Sequence, residues 1–318
     1  MESTLTILEQ LSDQDWEQAI PAIESMAKRD LQGSSGFIKT FRNEYVNARA
    51  PFFDELERSF CQVPLSDLDD EINTLASKLY NFNKRVDHRI QYDLIDTLTT
   101  FPKLDQYKFL SDAARFFKNP QNNLTASRRL SAVLLKVTNE SLSQSRKSNA
   151  GNAGERLVRA SLFAAGLEKN VHYREQYKSM SGSDTDFAFP YVEDYNDSKL
   201  EVLVAVQMST NDRARLTSSE LKGGVVSYVV TGNGLDASTK ALDAIGSQIL
   251  ETYRRSNIRL VCYGPEIENE KERICLKLRK TETETNRQRL NYLQSHTLSF
   301  SEFGSAMKRF STNPPPDR

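Results

Sequence analysis

The chain has 318 residues, of which 38% are hydrophobic and 27% are charged, with 42 Lys and Arg against 43 Asp and Glu. These proportions are typical of a globular protein with one large domain or two smaller ones. No apolar run approaches the ~20 residues that span a bilayer, and the start MESTLTILEQ lacks the features of a secretory signal, so we expect a cytoplasmic protein without a membrane partner. Three scattered cysteines exclude a disulfide framework and a zinc site of the usual kinds.

The net charge of −1 combines blocks of opposite sign. The first 70 residues contain 6 basic and 14 acidic residues, whereas residues 71–150 contain 13 basic and 7 acidic ones. Such blocks are common on solvated helix faces, but they can also present a locally basic surface. The overall balance therefore excludes an indiscriminate polycation and leaves a nucleic-acid partner open.

Up to about residue 147 the sequence predicts helices and no strand. Apolar residues recur at spacings of three and four in four segments: Asp13–Lys28, Gly36–Phe60, Leu68–Arg85 and Ser127–Leu142. Prolines between and within these segments act as breakers. We therefore treat residues 1–147 as a helical region.

From about residue 148 the pattern alternates between helices and strands. Helices are expected over Ala150–Leu167 and Asp236–Arg255. The expected strands are Val171–Tyr177, Asp186–Phe189, Val202–Met208, Val225–Thr231 and Ile258–Tyr263. Residues 148–318 are thus predicted to form an α/β domain, in which helices flank a mixed central sheet.

Acidic residues at strand ends are the main candidates for chemistry, because the sequence has no glycine-rich nucleotide-binding motif and its three histidines are far apart. Asp184 and Asp186 lie in SGSDTDFAFP, at the entry to a short apolar strand. Carboxylates at such a position are suited to hold a hard cation. The alternative is that Asp184 caps the turn and Asp186 is an ordinary charge at the end of a strand.

A second polar group follows the strand VLVAVQM. Gln207 ends this strand, Asn211-Asp212-Arg213 follow it, and Glu220 comes next. The group combines two amides, two carboxylates and a guanidinium within fourteen residues.

Two interpretations of the segment around Glu220 remain open. A helix over Asp212–Lys222, ended by two glycines, would place Glu220 two turns beyond Arg213 on the same helix face. A strand would instead place Glu220 and Lys222 on one face of a sheet. The polar residues RLTSS before Glu220 favour the helix.

The segment LVAVQMSTNDRARLTSSE resembles the catalytic segment of type II restriction endonucleases of the PD-(D/E)XK superfamily, in the group that cuts CCNGG and CCGG sites (EcoRII, PspGI and NgoMIV). In that family a strand ends in a catalytic lysine. A basic–acidic–Arg recognition motif follows, and a metal-binding or metal-supporting glutamate lies about thirteen residues after the lysine. Gln207 stands at the lysine position, Asn211-Asp212-Arg213 at the recognition motif and Glu220 at the glutamate.

Two upstream segments extend the resemblance to about residues 148–265, roughly a third of the chain. SDTDFAFP is similar to the family's strand with the metal-binding aspartate, which matches Asp186. SNAGNAGERL is similar to a helix start with an Ala-Gly pair, which matches Ala150-Gly151, and a glutamate four residues later, which matches Glu155. The order of strand, helix and strand downstream also agrees.

The resemblance implies Mg²⁺-dependent cleavage of double-stranded DNA by a homodimer, within a restriction-modification system that includes a cognate DNA methyltransferase. Asp186 and Glu220 would hold or support the metal. Glu155 would either join them as a ligand or support the ligands without contacting the metal. Gln207 would position the attacking water. The helical residues 1–147 would serve in dimerisation and DNA wrapping.

The glutamine at the lysine position is the main departure from the family. Gln207 can hold a water but brings no charge, so the metal ions or a neighbouring cation, Lys222 or Lys178, would have to stabilise the phosphate. Glutamine at this place is known in the wider superfamily. Otherwise the enzyme would be slow, or the protein would bind DNA without cleaving it. A further alternative is another PD-(D/E)XK nuclease, such as a repair or junction enzyme or an AvaI-like enzyme that uses Glu220 and Lys222.

Asp212 and Arg213 have the chemistry to read a C·G-rich site. Arginine pairs bidentately with guanine, and a carboxylate accepts from cytosine N4. The first basic residue of the motif is replaced by Asn211, which removes one expected contact. If a central base is flipped, as the resemblance to CCNGG cutters implies, an aromatic of the helical region would stack on it. The candidates are Tyr45, Phe53 and Tyr80.

Overall fold

A computed structural model shows an α/β protein with a six-stranded mixed sheet. It describes residues 13–101, 104–119, 124–182, 184–207, 226–231, 247–262, 272, 275–276 and 283–312. Within these residues, no helix combines the length and the apolar character that crossing a membrane requires. The chain divides into two compact units, Met1–Pro51 with Asn81–Arg146, and Phe52–Tyr80 with Lys147–Arg318.

The described residues up to 164 are helical and contain no strand, as the sequence predicted. The helices are α1 (Asp13–Leu31), α2 (Phe37–Asn47), α3 (Ala50–Ser59), α4 (Leu68–Tyr92), α5 (Leu94–Thr100), α6 (Lys108–Lys118) and α7 (Leu124–Ala164). In the first unit, the apolar faces of several helices meet in one buried cluster. This cluster includes Ile23 of α1, Phe37 of α2 and Leu110 of α6. The buried Asp30 carboxylate accepts from the Phe109 and Leu110 N–H groups at the start of α6, at 2.7 and 3.3 Å.

The helix boundaries differ from the prediction at two places. The segment Gly36–Phe60 forms two helices, and Pro51 lies in the first turn of the second, where its missing N–H costs nothing. The two predicted helices on either side of residue 147 form the single 41-residue helix α7. The division between the units therefore falls inside a helix, and residues 52–80 pack with the sheet rather than with the other N-terminal helices.

The five predicted strands are all present in the described residues, with shifted ends. They are β1 (Arg174–Lys178), β2 (Asp184–Phe189), β3 (Val202–Gln207), β4 (Val226–Thr231) and β5 (Arg259–Cys262). A two-residue strand, β6 (Thr297–Leu298), completes the sheet and was not predicted. The strands lie in the order β1 to β6, with antiparallel pairs from β1 to β3 and parallel pairs from β3 to β6.

Three further helices belong to the second unit, α8 (Ser247–Arg255), α9 (Glu284–His296) and α10 (Phe300–Thr312). Helix α10 packs on the sheet, and the ring centroids of Phe303 and Tyr228 lie 5.7 Å apart. The Asp69 carboxylate at the start of α4 caps α10 by accepting from the Phe300 N–H at 2.8 Å. The segment that contains α3 and the start of α4 is thereby tied to the sheet unit.

Candidate functional site

Asp186 lies where the pairing of β2 with β3 ends. The last paired residues of these strands are Phe187 and Val204. Just beyond them, the Val206 N–H donates to Asp186 Oδ2 at 2.6 Å. The carboxylate therefore takes the place of a main-chain acceptor, and its position is fixed by two strands of the sheet.

Gln176 of β1 contacts Asp186 from the other side. Its Nε2 group donates to Asp186 Oδ1 at 3.3 Å. Gln176 has a φ of 51°, in the left-handed region that side chains other than glycine adopt at a cost of order 1–3 kcal/mol. Backbone strain of this kind is concentrated at functional sites. Both Asp186 oxygens thus have fixed neighbours.

Glu155 is the second carboxylate of the site and lies on α7, with its side chain 24% exposed. Burial, followed by repulsion from Asp186, raises the pKa of Glu155 to about 7. Glu175 of β1 adds to this rise, whereas Arg159 opposes it. The fold therefore brings Glu155 and Asp186, 31 residues apart in sequence, close enough for their charges to interact.

Arg159 lies next to Glu155 but is engaged mainly by another carboxylate, Glu57 of α3. Glu57 is only 4% exposed, and its Oε2 accepts from Arg159 Nε at 2.8 Å. The second Glu57 oxygen accepts from Arg156. The Arg159 guanidinium is 3.7 Å from the Glu155 carboxylate and 3.8 Å from that of Glu175. Its charge is shared among three carboxylates, so it neutralises Glu155 incompletely.

The charges around the site leave an excess of carboxylates. Among the described residues the cluster contains five carboxylates and three cationic groups, namely Asp54, Glu57, Glu155, Glu175 and Asp186 with Arg156, Arg159 and Lys169. An added cation would relieve the repulsion between Glu155 and Asp186, and oxygen ligands suit a hard cation such as Mg²⁺. In the part of the chain that the structure describes, no group of three His, Cys, Asp or Glu is arranged to hold a metal. Within that part the candidate ligands are therefore Glu155 and Asp186, and a complete site would need a further ligand from outside it.

The other residues singled out in the sequence are only partly described. Gln207 is the last residue of β3, and its backbone follows directly on Val206. Its side chain lies outside the described residues, together with Asn211, Asp212, Arg213, Glu220 and Lys222. The helix expected over Asp212–Lys222 and its rival strand both stay predictions.

Asp184 and Lys178 lie at the same edge of the sheet as Asp186. Asp184 is the exposed first residue of β2 and is paired in register with Lys178, whose side chain is also exposed. Of the aromatic candidates, Phe53 is 6% exposed and Arg156 covers its ring at 5.7 Å. Tyr80 is half-buried, and the Tyr45 side chain lies outside the described residues.

Sequence reasoning missed Glu57, Arg159 and Gln176. The four-residue spacing of Glu155 and Arg159 on a predicted helix is a readable signal of their contact. Glu57 lies about a hundred residues upstream, and no local pattern connects it with α7. The left-handed backbone of Gln176 has no signal in the sequence, because glutamine rarely adopts it.

A scan against protein-family models finds no match for the chain, and a search of curated proteins finds none either. The assignment of the site therefore depends on the contacts and charges described above.

The raised pKa of Glu155 makes folding pH-dependent. The folded state binds this proton up to about pH 7, whereas the ordinary value is 4.5, so the free energy of unfolding falls as the pH rises through that range. We expect Glu155→Gln to raise the free energy of unfolding at pH 8 by about 1–3 kcal/mol, measured by urea denaturation in EDTA. The exposed Glu193→Gln should have no such effect. A Glu155→Gln variant that is no more stable than the wild type at pH 8 would contradict the raised pKa of Glu155.

Proposed function

We propose that the protein is a Mg²⁺-dependent type II restriction endonuclease of the PD-(D/E)XK superfamily. It acts in the cytoplasm as a homodimer on a short palindromic C·G-rich site, with a CCNGG- or CCGG-like core. The observation that carries the proposal is the electrostatic coupling of Glu155 and Asp186 beside the backbone of Gln207. These are three of the positions at which the sequence resembles that family. The order of α7, β1 to β3, β4, α8 and β5 also agrees with the order that the resemblance implies.

Asp186 and Glu220 are proposed to hold the metal. Bound Mg²⁺ would polarise the scissile phosphate and stabilise the charge that develops on it. Asp186 is already fixed by the Val206 N–H and Gln176, so little ordering is needed before it binds a ligand. Glu155, whose pKa is about 7, ionises readily when positive charge approaches. It either joins Asp186 as a metal ligand or supports Asp186 without contacting the metal.

Gln207 is proposed to hold the attacking water by a hydrogen bond in line with the leaving oxygen. Its amide carries no charge, so the cation that a lysine would supply must come from elsewhere. Lys178 is an exposed cation at the same sheet edge, two residues from the Gln176 that contacts Asp186. Lys178 is therefore one candidate for supplying the missing positive charge, and Lys222, which lies outside the described residues, is the other.

Recognition of the site is proposed to depend on Asp212 and Arg213. The arginine would pair with guanine and the carboxylate would accept from cytosine N4. A two-fold homodimer matches a palindromic site and brings one active site to each strand. A methyltransferase of the same system would protect the host DNA.

Asp186→Asn and Asp186→Ala test the metal site. We expect both variants to lose Mg²⁺-dependent cleavage by at least about 100-fold while still binding the cleaved sequence, because only the ion's ligand is removed. Cleavage rates on plasmid DNA and gel-shift binding in EDTA measure this. Asp184→Asn, two residues earlier on β2, is the matched control and should cleave nearly as the wild type. Cleavage that survives in Asp186→Asn, or is lost in Asp184→Asn instead, would overturn the assignment of the ligand.

Glu57→Gln tests whether the buried ion pairs support the site. Loss of the Glu57 charge frees Arg159 to neutralise Glu155, and we expect the rate of single-turnover cleavage to fall about 10- to 100-fold with DNA affinity unchanged. Asp54→Asn is the control, since Asp54 lies on the same helix and bonds Arg156 at 3.0 Å from a half-exposed position. The cleavage rates of both variants are compared at a temperature below their melting temperatures, so that both proteins are folded. Wild-type cleavage by Glu57→Gln would show that the pairs serve stability alone.

A further inference from the structure

The second half of helix α4, Asn81–Tyr92 in the first unit, presents a continuous polar face to solvent. Its buried residues include Val86 and Ile90, which are at most 1% exposed and belong to the core of that unit. The exposed residues lie on the opposite side of the helix at three- and four-residue spacing, and they are Asn81, Lys84, Arg85, His88, Arg89 and Tyr92. We call these six residues the α4 face.

The charges on the α4 face all have one sign. Asp87 is the single carboxylate in the segment, and it is buried in an ion pair with Arg42 at 2.8 Å. Lys84, Arg85 and Arg89 are exposed. The cationic surface is therefore not balanced by acidic residues of its own helix segment.

Arg85 and Arg89 also differ from other cations of the unit. Lys28 pairs with Glu140 at 3.3 Å, and Lys136 pairs with Glu24 at 2.6 Å. Among the residues described, none forms an ion pair with Arg85 or Arg89. Two unpaired guanidinium groups one helical turn apart are available to bind external anions.

An aromatic pair lies beside these cations. The His88 and Tyr92 ring centroids are 4.7 Å apart, and Tyr92 is 69% exposed. An exposed aromatic ring with a polar hydroxyl next to arginines can contact the phosphates and sugars of a DNA backbone. The positive surface ends at the neighbouring groove, which Arg89 lines together with Arg49 and with the acidic residues Glu44, Asp93 and Asp96.

We propose that the α4 face is a contact surface for the phosphate backbone of duplex DNA. The face is about 16 Å long, and one strand presents a phosphate every ~3.4 Å along the axis, so the helix can follow several phosphates. Arg85 and Arg89 bind phosphate oxygens, and Tyr92 packs on the adjoining sugar. The inference rests on the DNA partner of the proposed function but not on cleavage.

Binding of a labelled duplex of about 40 base pairs in EDTA, over a range of salt concentrations, tests the proposal. We expect Arg85→Gln/Arg89→Gln to weaken binding about 10- to 100-fold and to reduce the slope of log affinity against log salt by about 1.8, or 0.9 for each lost phosphate contact. Tyr92→Ala should lower affinity with no change in slope, because it removes a packing contact and no charge.

Arg115→Gln/Lys118→Gln is the matched control. It removes the same charge from the exposed end of α6 in the same unit, where Arg115 faces Asp112 at 3.5 Å and Lys118 donates to the Thr99 carbonyl oxygen. We expect it to keep the wild-type slope. Melting temperatures measured by circular dichroism check that every variant is folded.

Three results would overturn the proposal. The first is an equal loss of affinity in the α4 and α6 variants, and the second is a wild-type protein that binds no duplex. The third is a change in the oligomeric state of the Arg85→Gln/Arg89→Gln variant, measured by sedimentation. Such a change would show that the face is an interface between copies of the chain. Duplex binding without cleavage would instead contradict the proposed nuclease activity and still support the α4 face as a DNA contact.

Discussion

Repulsion between Glu155 and Asp186 is the constraint on which the candidate site depends. Two carboxylates from different elements are placed together, and burial raises the pKa of Glu155 to about 7. Natural sequences commonly give up stability of this kind at sites that bind or react. An arrangement that served stability alone would have paired Glu155 with a cation that it does not share, or removed one of the acids. The incompletely compensated charge is thus the main physical argument for a cation-dependent function.

The neighbouring ion pairs explain how the repulsion persists. Arg159 could neutralise Glu155, but Glu57 holds its guanidinium at 2.8 Å while Glu155 stays at 3.7 Å. Glu57 comes from α3, far upstream in sequence, and that helix packs with the sheet unit. Asp186 is fixed independently, by the Val206 N–H at the end of the β2–β3 pairing. Helical and sheet elements of the second unit therefore contribute separate parts of one electrostatic balance.

Much of this could be predicted from local patterns. Apolar runs predicted five strands, an acidic residue at a strand entry pointed to Asp186, and the resemblance to restriction endonucleases pointed to Glu155. The rest depends on long-range packing. The apolar pattern predicted two helices, Ser127–Leu142 and Ala150–Leu167, yet residues 124–164 form one helix, in which tertiary packing outweighs the low helix propensity of the glycines at 151 and 154. The contact of Glu57 with α7 and the strained Gln176 backbone likewise follow from tertiary structure, which a single sequence does not encode locally.

The central claim is that this charge balance serves site-specific, metal-dependent cleavage of DNA. Its most direct test is incubation of the pure protein with long phage DNA, with and without Mg²⁺, followed by gel electrophoresis. We expect discrete fragments that appear only with Mg²⁺ and whose ends share one C·G-rich sequence. A smear would indicate an unspecific nuclease. DNA that stays intact with Mg²⁺ present, under conditions in which the protein binds it, would contradict the claim.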